Sequence, residues 1–409
     1  MKENKKILFI CVHYAFPSAA NSICIQNLAE EFVRMGYYPW VLAKGCEYIG
    51  KYEEINGVKV WKYRGDIYGK VVSYFSKKSG LFYRICFGIL QLLRYSVILW
   101  FYPESSPQDT PKVYRRAKKI IEEQDIGLVV ASYMPYEAIN VAIKLKKTYG
   151  DKLRVITYHL DLLTNPNNSS ALVLFLKKCK VEKALEKEFG VIDKILLPTT
   201  APLYQRGNIE YVDFPLYIPE RGEVDLHNEW VDCFNKECIN ISITGSLDNN
   251  NRNPIAFCNL ISQLPLYQGR RIVLHIWGKL SGIDLKGIKY VYYHGLAKVE
   301  DVPMILRKSD FLLNVGNAIS YRMLPSKIFQ FFASSRPIFF IYSKDEDKSV
   351  PYFKKYKHVC FIKSDALQED CVISKIMDFI DSYYKKEIIV EQSVFERSKP
   401  SYICNRIID

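Results

Sequence analysis

Apolar positions along the chain fall into short unbroken runs and into helical faces, and the two kinds alternate. Residues 7–12 are apolar without a break, the pattern of a central parallel strand covered on both faces. A loop of small and polar residues follows over 16–22. Ile25, Leu28, Ala29 and Phe32 then recur at helical spacing, with Gln26, Glu30, Glu31 and Arg34 on the other side. Gly36 closes that helix, and 40–43 reads as a second strand. Strand, loop, helix, strand is the opening of a doubly wound α/β sheet. The pattern continues with strands at 126–132, 153–158 and 194–197 and helices at 137–147 and 177–189.

Residues 200–235 lack periodic runs and hold Pro202, Pro215 and Pro219, which marks a boundary. A second α/β series then starts. Strands are expected at 239–244, 272–277, 290–293, 311–315 and 338–341, and helices at 253–263, 302–308 and 325–333. Three of the strands run straight into a glycine, at Gly245, Gly278 and Gly295. The expected organisation is an N-terminal Rossmann-like domain over 1–200, a linker over 201–235, a second Rossmann-like domain over 236–385, and a tail over 386–409 that packs back on the first domain. Two such domains facing a central cleft bind ligands at the carboxyl ends of their strands.

Residues 81–102 are the most apolar stretch and long enough to span a bilayer. Arg84, Gly88, Gln91, Arg94 and Tyr95 interrupt it with a polar stripe, and Arg94 would lie mid-membrane. Three readings stand: an interfacial amphipathic helix, favoured by Lys70, Lys77 and Lys78 just before it; a packing helix of the first domain; and a transmembrane helix.

Composition sets the class. The chain has 409 residues, 49% hydrophobic and 25% charged, as expected for folded domains with sizeable cores. Its eleven cysteines form no CxxC pair, so they read as reduced, small apolar residues in a reducing cytosol. The first apolar run is short and meets His13, so it reads as a strand and not a signal peptide. The net charge is +13, and residues 51–102 alone carry nine Lys/Arg against three Asp/Glu. Lys112, Arg115, Arg116, Lys118 and Lys119 follow without an acid. Such a face attracts phosphate-rich partners. The charge surrounds the apolar 81–102 segment and no nucleic-acid module is present, so an anionic membrane surface is expected and nucleic acid is not.

Several segments together resemble the GT-B glycosyltransferases, family 4 and its relatives in bacterial surface-polysaccharide synthesis. They are ILFICVHYAFPSAANSICIQNLAEEFVRMGYYPWVLA, VITYHLD, VEKALEKEFGVIDKILLPT, ISITGSLDNNNRNP, VLHIWGK, YYHGLAKVEDVPMILRKSDFLLNVGNA and LPSKIFQFFASSRPIFFI. The order and spacing of these short motifs carry the resemblance. It implies a retaining glycosyltransferase that moves a hexose-type sugar from a nucleotide-sugar donor to a lipid-linked glycan, peripheral to the inner face of the plasma membrane, in capsule or related polysaccharide synthesis.

The resemblance also assigns residues. A donor diphosphate, with about two negative charges, needs free amides and cations. Gly245 and Ser246 follow a strand where backbone can approach phosphate, and Arg252 stands where the family usually has Lys. Ser246 replaces the family's Arg after the glycine. The plainer reading is a glycine turn beside a solvated Arg. Ser326 and Lys327 open a helix like the family's PSK segment, and Gln330 replaces the Glu that holds the donor ribose. Arg322 stands where the other carboxylate of that pair belongs. His159 matches a catalytic His near the donor sugar, with Asp161 available to orient it; a structural His at a strand end is the alternative. His13, Ser18 and Asn21 lie in a loop that faces acceptor and phosphate. Asp345, Glu346 and Asp347 read as a solvated charge cluster. No metal or cofactor is implied. A divergent, non-catalytic partner protein, suggested by Ser246, Arg322 and Gln330, and a nucleotide-sugar 2-epimerase of the same architecture remain as alternatives.

Overall fold

The computed structural model describes residues 5–15, 20–45, 52–64, 80–133, 135–161, 171–219 and 233–409. The chain divides into two compact units, Met1–Pro215 with Pro400–Asp409, and Leu216–Lys399.

The first unit is built on an eight-stranded sheet. Its strands are β1 (Lys6–Ile10), β2 (Tyr38–Gly45), β3 (Glu53–Ile55), β4 (Val58–Arg64), β5 (Leu128–Tyr133), β6 (Arg154–His159), β7 (Lys194–Pro198) and β8 (Ile209–Val212). The spatial order is β3-β4-β2-β1-β5-β6-β7-β8, parallel except for the β3–β4 hairpin. Leu8 sits opposite Trp40 on one side and Val129 on the other, so the apolar run of β1 is sealed at both edges and both faces. The helix Ala20–Arg34 buries Ile25, Leu28, Ala29 and Phe32, the face its spacing marks out. Its Leu28 carbonyl accepts from Cys404 Sγ at 3.6 Å, because the last helix, Pro400–Ile408, packs against it. Lys194 Nζ of β7 donates to the Arg406 carbonyl at 2.8 Å and ties the same last helix to the sheet.

Residues 201–215 differ from the expected linker. β8 pairs in parallel with β7, so the first sheet continues to Val212. It escapes the pattern search because it is a four-residue strand buried mainly at one end. The basic run 112–119 lies on the helix Thr110–Gln124, which buries Val113, Ala117, Ile120 and Ile121. Its outer face pairs Lys118 with Glu122 and Lys119 with Glu123. That face is an ordinary solvated one.

The segment 81–102 is the helix Leu81–Phe101. Phe82, Ile89, Leu93 and Trp100 are exposed and fall on one line of its surface, since they recur at whole turns. Among the described residues no helix is long and apolar enough to cross a membrane. Lys70, Lys77 and Lys78 lie outside the described residues.

The second unit carries a six-stranded parallel sheet. Its strands are β9 (Cys238–Thr244), β11 (Arg271–Trp277), β13 (Val291–Gly295), β14 (Phe311–Val315), β15 (Ile338–Tyr342) and β16 (Val359–Lys363). The order is β13-β11-β9-β14-β15-β16. The two-residue strands β10 (Leu247–Asp248) and β12 (Leu280–Ser281) form a small separate ladder. In this sheet the chain runs outward from β9 through β11 to β13, then returns to the other side of β9 at β14. The strand order therefore reverses between β9 and β14, and in the first sheet between β1 and β5. Such reversals open a crevice at the carboxyl ends, because consecutive connections leave in opposite directions.

Candidate functional site

In the second unit the reversal point lies between Thr244 and Val315 at the strand ends. Gly245 there has φ +123°, a backbone state that side chains rarely adopt. Its amide donates to the Trp277 carbonyl at 2.8 Å, and the Gly278 amide donates to the Gly295 carbonyl at 2.7 Å. The three glycines thus lock adjacent strand ends together through backbone. The Lys327 side chain crosses over Gly245: a Cβ at Gly245 would lie 2.9 Å from Lys327 Nζ and 3.4 Å from its Cδ.

Arg252 reaches the same crevice. Its Nε donates to Asn317 Oδ1 at 2.6 Å, two residues past β14. Asn317 is buried and donates through Nδ2 to the Ser320 and Met323 carbonyls. Asn251 adds a further clamp, donating to Ser320 Oγ at 3.0 Å and accepting from the Ile319 amide at 2.9 Å. Asp248 Oδ1 accepts from the Asn251 amide at 2.7 Å and fixes the turn that carries Arg252.

Two cations side by side in a partly buried crevice disfavour one another. Burial, and then Arg252, push the Lys327 pKa down to about 8. Burial also lowers Arg252, opposed by Asp248 and Asp347. Among the described residues neither Arg252 nor Lys327 has an ion-pair partner within 4.0 Å. An arrangement with positive charge in excess over a glycine-lined floor can hold an anion.

Other expectations are placed differently. Ser246 is exposed at the tip, and Ser326 and Gln330 are partly exposed on either side of Lys327. The helix after Lys327 is shorter than expected, Ile328–Ala333, so its dipole adds little and the charge of Lys327 carries the attraction. Asp347 is buried, accepting from the Ser349 amide at 2.7 Å, and is not part of a solvated cluster. Its carboxylate crosses Gly316, where a Cβ would meet Oδ2 at 2.8 Å. Asp345 is solvated and paired with Lys363.

In the first unit a cavity of about 440 Å³ opens where β1, β2, β4 and β5 end. His13 and Asn21 line it, together with Lys44, Tyr63, Asp109 and Glu137. Ser18 lies outside the described residues. Burial, and then Lys44 nearby, lower the His13 pKa. His159 is enclosed: its side chain is 1% exposed and its Nε2 is 2.8 Å from Glu188 Oε1. Thr157 also donates to Glu188. Glu188, and not Asp161, therefore orients the ring. Asp161 takes a hydrogen bond from Asn21 instead, and burial raises its pKa to about 6. Among the described residues no group of three His, Cys, Asp or Glu side chains forms a metal site.

Asn317, Asp109 and Glu137 were not singled out by the sequence. Each stands at a strand end or a helix start, the places where a doubly wound sheet collects ligand contacts. That position was their one available signal.

No described protein family matches the sequence, and no curated protein does. Solved structures do match over the whole chain. An α,α-trehalose-phosphate synthase (UDP-forming) from Burkholderia xenovorans, in complex with glucose-6-phosphate, is 9% identical, covers 99% of both chains and has a TM-score of 0.59. WaaG, a glycosyltransferase involved in lipopolysaccharide biosynthesis, is 11% identical over 98% of this chain and 99% of its own, with a TM-score of 0.53. The glycosyltransferase SnogD from Streptomyces nogalater is 14% identical over 99% of both, with a TM-score of 0.51. The fold is GT-B, an α/β architecture of two Rossmann-like units.

Proposed function

We propose that the chain is a glycosyltransferase that moves a hexose-type sugar from a nucleotide-sugar donor onto a growing, lipid-linked glycan, with retention of configuration, in bacterial surface-polysaccharide synthesis. The observation that carries this reading is the Lys327 side chain over Gly245, with Arg252 held near it by Asn317, at the reversal point of the second sheet. As the bond to the sugar breaks, negative charge grows on the departing diphosphate. Two cations held in place beforehand stabilise that charge without reorganising. His159, enclosed and held by Glu188, is read as a positioning group for the end of β6. The solved proteins of this fold support the reading by name: one forms UDP in making trehalose phosphate, another serves lipopolysaccharide synthesis.

The pH dependence tests the site directly. Lys327 is charged below about pH 8 in the free protein, so a diphosphate binds with full affinity there. Above that pH the cation is lost and affinity should fall by up to tenfold per unit of pH. The same shift has a stability sign. The folded value lies below the ordinary 10.5, so a charged Lys327 costs folding free energy as pH falls from 10.5 to 8, and a bound anion recovers it. Calorimetric titration with UDP at pH 7 and at about pH 9 reads the effect. Lys327→Arg, charged at both values, should flatten the profile. Equal wild-type affinities at the two pH values would remove Lys327 from the site.

The lipid-linked acceptor and the membrane face rest on the helix Leu81–Phe101. Phe82, Ile89, Leu93 and Trp100 form an exposed line along it. At its end, Lys180 Nζ donates to the Leu99 carbonyl at 2.8 Å and Lys177 lies 5.5 Å from the Tyr102 ring centre. On the helix Ala171–Phe189 that carries these lysines, Phe175 and Leu176 are exposed as well. Apolar side chains fringed by lysines suit an anionic leaflet, the rings and aliphatic groups entering the acyl boundary and the lysines meeting headgroups. Ile89→Glu with Leu93→Glu should cut cosedimentation with phosphatidylglycerol vesicles at least tenfold, since burying each side chain contributes about 1.5–3 kcal/mol. Thermal stability should hold, because both positions are exposed. Undiminished cosedimentation would end the membrane reading.

A second reading keeps the binding and drops the turnover. Arg322 is exposed beside the Tyr321 ring, and Gln330 is the group left to meet a donor ribose. A non-catalytic partner protein would bind nucleotide sugar yet release no nucleotide when acceptor is added.

A further inference from the structure

In the second unit a cysteine, two histidines and an asparagine form one hydrogen-bonded chain that the proposed donor site does not use. His275 lies in β11 and His294 in β13, neighbouring parallel strands. Their register shifts between Ile276 and Trp277. Trp277 faces Gly295, which leaves His294 as the extra residue of a bulge, a device that re-aims a side chain. His294 Nε2 reaches His275 Nδ1 at 2.9 Å, and His275 Nε2 reaches Asn240 Oδ1 at 3.0 Å. At the other end of the chain, Cys233 Sγ is 3.7 Å from His294 Nδ1. Stacking holds the groups in place: the Trp277 ring centre lies 4.6 Å from that of His294 and 5.5 Å from that of Phe234, the residue after Cys233.

The direction of each proton is fixed from the inner end. Asn240 Nδ2 donates to the Asn235 carbonyl at 3.0 Å and to Asp310 Oδ2 at 3.3 Å, so its oxygen is the atom turned to His275. His275 Nε2 therefore carries a hydrogen. Burial, and then His294, hold the His275 pKa down to about 4, so that ring is neutral at pH 7 and its Nδ1 offers a lone pair. His294 must then donate through Nε2. Burial lowers the His294 pKa as well, which favours the form with a lone pair on Nδ1, the atom that faces the Cys233 thiol. A thiol beside a base that a third group orients is the arrangement that generates a nucleophilic sulfur. Other cysteines are placed differently. Burial pushes Cys11 and Cys258 up to about 12 and Cys360 to about 11. Cys371 is exposed, but the Glu369 carboxylate beside it raises its pKa. Cys233 is only partly buried, as a reactive thiol must be.

We infer that Cys233 is a modification site of this chain, a thiol primed by His294 to exchange with small disulfides. Sγ attacks one sulfur of the incoming disulfide while its proton passes to His294 Nδ1. The new Sγ–S bond forms as the old S–S bond breaks. Cys233 is oxidised to a mixed disulfide, and the other half of the incoming molecule is reduced to a free thiol. During the transfer the charged His294 ring donates through Nε2 to the His275 lone pair, which stabilises it. Burial disfavours that charge, so the proton goes on to the departing sulfur and does not stay on the ring.

Timed exposure of the full, reduced chain to glutathione disulfide at pH 7, followed by acid quench and peptide mass spectrometry, reads the rate at each cysteine. Cys233 should take up the half-disulfide about tenfold faster than Cys86, Cys179 or the exposed Cys371. His294→Gln keeps a hydrogen-bonding group but removes the base. It should slow Cys233 by about tenfold and leave Cys371 at its wild-type rate. Buried Cys11 and Cys404 report on the fold, since they react only where the chain has opened. Cys371 reacting as fast as Cys233, or Cys233 staying unmodified, overturns the inference. So does a folded His294→Gln protein whose Cys233 reacts at the wild-type rate. Should that variant open, the ranking on wild-type protein decides alone. None of these rates depends on donor binding, so failure here leaves the glycosyltransferase reading standing, and failure of that reading leaves the thiol ranking intact.

Discussion

Arg252→Ala is expected to abolish nucleotide-sugar stabilisation while the protein keeps its fold. The guanidinium is anchored through Nε to Asn317, which leaves its two terminal nitrogens for a ligand. Removing a positioned, charge-assisted donor of this kind weakens binding and transfer by about 10²–10³-fold, or 2.7–4 kcal/mol. A thermal-shift titration with UDP-glucose and related donors reads it, because stabilisation follows ligand concentration over Kd and vanishes as Kd rises past the concentrations used. Arg252→Lys should recover little, since an ammonium cannot both hold Asn317 and grip phosphate in two places. Asn317→Ala should act at one remove: weaker binding with Arg252 still present, because the guanidinium loses its anchor. The apo protein carrying Arg252→Ala should melt no lower than wild type, since the change relieves a cation pressed against Lys327. A donor shift retained in Arg252→Ala would refute the assignment of the anion site.

Gly278→Ala is expected to do the larger structural damage. A Cβ there would lie 1.7 Å from the Gly245 carbonyl oxygen and 2.5 Å from its carbon, inside any permitted contact and against backbone that cannot rotate away. The backbone state of Gly278, φ +155°, adds strain for any side chain. The strand ends would have to separate, breaking the bonds from Gly245 to Trp277 and from Gly278 to Gly295. The expected cost exceeds about 3 kcal/mol, which for a domain of this size lowers Tm by roughly 6–12 °C, and donor binding goes with it. Gly245→Ala makes the comparison: its φ of +123° also strains a side chain, but its Cβ meets the flexible end of Lys327, which can move, so the expected loss of stability is smaller than in Gly278→Ala. A Gly278→Ala protein with wild-type melting would mean that the strand ends do not meet as described.

Much of the architecture was legible along the chain. The unbroken apolar run of β1, the faced helix after it and the second series of strands ending in glycine each reflect a local rule: a strand covered on both faces cannot carry polar side chains, and a backbone turning sharply at a strand end favours glycine. Short or edge elements were not legible. β8 and the β3–β4 hairpin are small and partly exposed, so they bear weak periodicity. Helix ends were misplaced for a similar reason. Pro325 and Ser326 are good starting residues, yet the helix begins at Ile328, because the residues before it close tighter turns, Ile328 donating to the Pro325 carbonyl and Phe329 to that of Ser326, both at 3.3 Å.

The candidate site divides along the same line. The sequence by itself determined the two α/β series and the excess of positive charge, because composition and local spacing suffice for these; Arg252 and Lys327 were singled out only through the family resemblance. Only the tertiary structure decided the partners. Asn317 lies 65 residues from Arg252, Glu188 lies 29 from His159, and Glu137 meets Ser105 across 32. Such pairs arise where the tertiary fold brings residues far apart in the chain to the same strand end. Local spacing holds no record of that meeting, since hydrophobic periodicity reports which face of an element is covered and not which element covers it.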